Sequence, residues 1–194
     1  MTARIAAAQP PFTDEIANAI ERTMRGRPPL VLFTTLARDP RLFGKFFAAG
    51  LLDRGNLTMR QREIVIDRTT ALCGSEYEWG VHITAFGEHV QLTEEQVKSL
   101  ATNGSRDECW NEDEKNLLRL CETLHNICTV EDELWAALRA KFSEEAMLEL
   151  LMLAGFYRTV SYLTNALQLP LEATAARFPR AGTGCPPILA PFLT

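Results

Sequence analysis

The segment EIVIDRTTALCGSEYEWGVH, from Glu63 to His82, runs one helical pattern into another through a single glycine. Before Gly74, the residues Ile64, Val65, Ala71 and Leu72 recur with the spacing of one helix face, and the stem of Arg68 fills the intervening place. After Gly74, Trp79, Ile83, Phe86 and Val90 make a second stripe. Two helices joined by so short a connection must lie against each other, so side chains from both meet at one contact.

The same punctuation recurs along the chain. Thr13 before Asp14 and Glu15, Thr58 with Gln61, Ser75 with Glu78, Thr93 with Gln96, and Asn111 with Glu114 all mark helix starts. The Thr58, Ser75 and Thr93 pairs have capping-box spacing, in which a hydroxyl and an acidic or amide side chain satisfy free N–H groups reciprocally. Leu117, Leu118, Cys121, Leu124 and His125 form a third stripe, and no alternating run bounded by hairpin turns is present. The expected fold is all-α, a bundle of roughly eight helices with short loops and no solenoid repeat. At 194 residues, 46% hydrophobic and 23% charged, the chain is expected to form one domain over positions 1–194.

The most apolar stretch, Met147 to Leu169, is expected to lie centrally or at a subunit contact. Glu149, Arg158 and Asn165 interrupt it, so it is not read as a membrane span. The Pro- and Gly-rich tail, 179–194, is expected to be irregular and laid across a neighbour. A net charge of −5 argues against a nucleic-acid platform, which needs a basic surface to displace counterions. The opening MTARIAAAQPP has too short an apolar run for a signal-peptide core, which points to a cytoplasmic protein. Five cysteines, at positions 73, 109, 121, 128 and 185, are read as reduced thiols. Cys121, His125 and Cys128 share one helix face, but they lack a C-x-x-C pair and a fourth ligand, so no metal is expected.

The acid–base candidates gather at the helix junction. Glu63 sits on the first helix, while Ser75, Glu78 and His82 follow on successive turns of one side of the second. A half-buried imidazole beside carboxylates is suited to general acid–base work. Each residue also has a structural role open to it. Ser75 and Glu78 form a capping box, His82 is equally a satisfied half-buried histidine, and Glu63 gains interest only from its spacing to His82. Tyr77 and Trp79 offer a hydroxyl and an indole to a ligand, or simply pack. Arg158, in a polar strip with Ser161, Tyr162 and Asn165, needs a carboxylate from the protein or from a ligand. His89 and His125 are read as structural.

The run RQRE before a helix, YEW followed by His82, Gly87 leading into LTEEQV, and the later GFYRTVSYLTNAL occur here in order. On these motifs the chain resembles the carboxymuconolactone decarboxylase and alkylhydroperoxidase D superfamily, over a core of about 40–169. Redox members of that superfamily read E-x(11)-C-x-x-C-x-x-x-H. Glu63 and His82 fall on its Glu and His, whereas Ser75 and Glu78 stand where the two cysteines would be. Neither serine nor glutamate forms a disulfide, so the resemblance points to the decarboxylase-type branch. It implies a helical homo-oligomer, a trimer or a hexamer built from trimers, that acts without a cofactor on a small organic acid or lactone. In that scheme His82 supplies a proton, Glu63 and Glu78 set its state, and Arg158 anchors a ligand carboxylate. Two other readings stand beside it. One is an antioxidant reductase using a displaced thiol such as Cys73, and the other is a non-catalytic, small-acid-binding helical oligomer.

Overall fold

A computed structural model describes residues 3–179. These contain nine α-helices and no strand: α1 (Asp14–Met24), α2 (Val31–Leu36), α3 (Pro40–Ala49), α4 (Met59–Leu72), α5 (Glu76–Phe86), α6 (Glu94–Ala101), α7 (Glu112–Ile127), α8 (Asp132–Arg139) and α9 (Glu144–Ala166), with one 3-10 turn at Gly104–Arg106. The all-α expectation holds, with one helix more than the rough count. The tail expectation falls on 180–194, outside the described residues, apart from Pro179.

The cap signals define most of the helix starts. At Thr58, Thr93 and Asn111 both arms of the capping box form. Thr13 precedes α1 without a side-chain cap hydrogen bond. At Ser75 only one arm is described: its Oγ accepts from the Glu78 N–H at 3.4 Å. The α4–α5 junction is a Schellman turn, in which Ser75 N–H donates to Thr70 O and Gly74 N–H to Ala71 O, each at 2.9 Å. Gly74 takes φ +65° there, the left-handed conformation that glycine adopts without strain.

Helix α4 is the axis of the bundle, enclosed by α5, α6, α7 and α9. Every residue from Arg62 to Thr70 is buried, the polar ones included. This differs from the expected single stripe. Polar side chains tolerate such burial only when paired, and here most are. Arg68 binds Glu122 at 2.7 Å and the carbonyl of Leu100 at 2.9 Å, and Thr70 donates to the Ile66 carbonyl at 2.9 Å. Helix α9 buries one face against α4 and α5 and leaves Leu148, Met152 and Tyr162 about 60% exposed on another. No helix among the described residues is long and apolar enough to cross a membrane.

Candidate functional site

Glu63 enters from α4 and His82 from α5, and the Schellman turn between the two helices brings them together. Glu63 Oε2 lies 2.7 Å from His82 Nδ1, while the other carboxylate oxygen accepts from Arg62 Nε at 3.2 Å. Arg62 is held in turn by the Leu52 carbonyl at 3.0 Å. On the far side of the ring, His82 Nε2 faces Glu78 Oε1 at 3.5 Å, one helical turn away. Glu78 therefore turns toward the imidazole, and its second oxygen is buried without a hydrogen-bond partner among the described residues. Ser75 serves as the cap and shares a 2.8 Å hydrogen bond with Thr164 of α9.

Two further side chains belong to this cluster and carried no signal singled out in the sequence. Tyr157, on α9, sets its ring edge-on to His82, with centroids 5.0 Å apart and an interplanar angle of 89°. Asp67, one turn after Glu63, is 1% exposed, and neither carboxyl oxygen has a hydrogen-bond partner among the described residues. The charges explain how such a group persists. A carboxyl buried beside other acidic side chains is disfavoured as the anion. Burial, reinforced by the charge of Glu63, pushes the Asp67 pKa well above its ordinary value. Burial likewise raises the Tyr157 phenol, with Glu78 and Glu63 adding to it.

His82 is pulled both ways. Burial alone lowers its pKa, but the charge and hydrogen bond of Glu63, joined by Glu78, outweigh burial and carry it up to about 10. At neutral pH it is an imidazolium clamped between two carboxylates. Its Nδ1 proton is committed to a short bond, and its Nε2 proton to a long one.

The remaining sequence candidates lie elsewhere. Tyr77 is fully engaged: its hydroxyl donates to Glu172 and accepts from the Leu32 N–H at 3.1 Å. Trp79 stacks on Phe178, with centroids 5.0 Å apart. Both hold the 172–178 segment along α5, where Ala176 N–H also reaches Thr84 Oγ1 at 2.8 Å. Arg158 is half-buried rather than buried, and it binds the Tyr162 hydroxyl and the His125 carbonyl instead of a carboxylate. It lines a hollow with Cys121, His125 and Cys128, away from His82. Among the described residues no group of three or more His, Cys, Asp or Glu side chains is placed to hold a metal ion. Cys73 Sγ lies 3.9 Å from His125 Nδ1, and burial raises its thiol pKa despite the opposing charge of Arg158.

The sequence matches no family model and no curated protein. Solved structures do match. An uncharacterized peroxidase-related protein from Ralstonia eutropha JMP134, described as an alkylhydroperoxidase AhpD core, superposes with a TM-score of 0.73 at 21% identity, over 89% of this chain and 94% of that one. The fold is AhpD-like. A peroxidase-related protein from Silicibacter sp. TM1040 gives a TM-score of 0.75 at 16% identity, over 89% of this chain and 94% of that one. A variant of the debrominase Bmp8 in complex with 2,3,4-tribromopyrrole gives 0.72 at 15% identity, over 90% and 94%. One AhpD-like fold thus accompanies different described chemistries, so the activity of this chain has to be argued from its own site.

Proposed function

We propose that the chain is a cofactor-independent acid–base enzyme of the carboxymuconolactone decarboxylase type, acting on a small carboxylated lactone or β-oxo acid. The observation that carries this reading is the asymmetry at His82, with 2.7 Å to Glu63 at Nδ1 and 3.5 Å to Glu78 at Nε2. Glu63, itself held by Arg62, fixes the ring and keeps it charged. The weakly held Nε2 proton is the one free to leave.

In this mechanism the substrate loses CO2 and the electron pair of the broken bond passes into an enolate. The imidazolium stabilises that negative charge and then delivers its Nε2 proton to carbon. A solvent proton, relayed through the Glu78 carboxylate, restores Nε2 for the next cycle. Ser75 supports the reading as the cap that starts α5 in register. Tyr77 and Trp79 act on this reading as the scaffold that fixes α5, and Arg158 takes no part at His82. The proposal includes a homo-oligomer, a trimer or a hexamer, working in the cytoplasm.

CO2 release from a panel of carboxylated lactones and β-oxo acids tests the reading, with wild type compared against His82→Ala and the product examined for solvent deuterium. Release that falls by roughly 10²-fold or more in the variant is expected. Equal release by both proteins overturns the assignment of the acid. The displaced-thiol reading has less support, because burial keeps Cys73 and Cys121 protonated, the latter pushed up to about 12.

A further inference from the structure

Beside α7 and α9 lies a hollow of about 180 Å³ that none of Glu63, Asp67, Glu78 or His82 lines. Its walls include Leu124, Leu151, Ala154 and Gly155, and its one cation is Arg158. We propose that this hollow binds a compact monocarboxylate with an apolar body, its carboxylate on the Arg158 guanidinium and its hydrocarbon against the leucines. The site is independent of the chemistry at His82.

The guanidinium is preorganised for such a ligand. Its Nε donates to the Tyr162 hydroxyl at 2.8 Å and its Nη1 to the His125 carbonyl at 3.2 Å, which fixes its plane. Of the five donors of a guanidinium, the two on Nη2 have no partner among the described residues and are left for an anion. Among the described residues Arg158 makes no ion pair, and no acidic side chain lines the hollow. A carboxylate on the free donors would meet a cation that no acidic side chain of the hollow neutralises.

His125 adds no second charge. Burial, together with the positive charges of Arg158 and Arg68, lowers its pKa and leaves the ring neutral. One cation among apolar walls suits one carboxylate, since a second would be buried against leucine without a partner. Gly155 lines the hollow, and a Cβ built there meets nothing within 4 Å, so a larger side chain is accommodated at that position without displacing a neighbour.

The test is a calorimetric and NMR titration of the full chain with hexanoate and benzoate, with hexanamide and benzamide as uncharged controls. Wild type is compared with Arg158→Gln and with Gly155→Leu, whose side chain fills the hollow while favouring the helix more than glycine does. The expected result is saturable binding of a carboxylate probe by wild type. Binding weakens roughly tenfold or more in Arg158→Gln and is lost in Gly155→Leu at unchanged helical content. Three results overturn the proposal: no saturable binding of either acid by wild type up to about 10 mM, binding that survives both substitutions, or amides binding as tightly as acids.

Discussion

Glu63 and His82, 19 positions apart in sequence, meet at 2.7 Å with both side chains at or below 5% exposure. Their bond joins the two central helices and holds a positive charge inside the bundle. Stability therefore depends on the proton at His82, and so does the proposed chemistry.

The first consequence is a pH dependence of stability. Native His82 keeps its proton to about pH 10, whereas the unfolded chain releases it near 6.5. The native state binds more protons between those values, so this pair's stabilisation is complete below about 6.5 and is lost as pH rises toward 10. Glu63→Gln removes the main source of the shift. Thermal unfolding across that window should show a smaller fall in the variant, together with a loss of roughly 3–5 kcal/mol at pH 6 from a broken buried pair.

Asp67 makes a separate contribution of the same sign. Its folded pKa lies above the ordinary 3.8, so unfolding releases a proton and stability falls as pH rises above that value. Asp67→Asn abolishes this term. Denaturant titrations from pH 4 to pH 8 should show the variant gaining on wild type as pH increases, by up to about 1.4 kcal/mol per unit within the titrating window. A constant difference would mean that Asp67 is ionised in the fold.

Gly80 marks a close approach of backbone. A Cβ there would lie 2.2 Å from the Ala176 carbonyl oxygen, and the Gly80 carbonyl accepts from the Ala176 N–H at 3.3 Å. Gly80→Ala should displace the 172–178 segment and cost about 1–3 kcal/mol. Limited proteolysis should then cut near Ala176 faster than in wild type.

Tyr77 predicts a loss of stability without a loss of chemistry. In Tyr77→Phe the buried Leu32 N–H loses its acceptor, at a cost of about 1–3 kcal/mol. Turnover per folded molecule should be unchanged. A selective drop in kcat would place the hydroxyl in the reaction instead.

Much of this arrangement was legible in the sequence because it is local. Capping residues and apolar spacing mark most helix starts, and the interval from Glu63 to His82 exposes the junction. The six-residue α2 escapes such reading because Leu30, its first flanking residue, offers no capping side chain. What sequence could not supply was the surroundings. Asp67 belongs to no apolar stripe or cap pattern in the sequence, and its burial follows from the helices packed around α4. Glu78 had two uses open to it, and only the approach of His82 shows which one it takes. Arg158 and Tyr157 are neighbours in sequence, yet helical rotation sends Tyr157 to His82 and Arg158 to the hollow beside α7.

The most direct measurement is a ¹⁵N NMR titration of the His82 ring from pH 6 to pH 11, in wild type and in Glu63→Gln. A charged imidazolium, protonated on both nitrogens until about pH 10 and titrating lower in the variant, is the result the account predicts. A neutral ring at pH 7, or the same titration in both proteins, would contradict it.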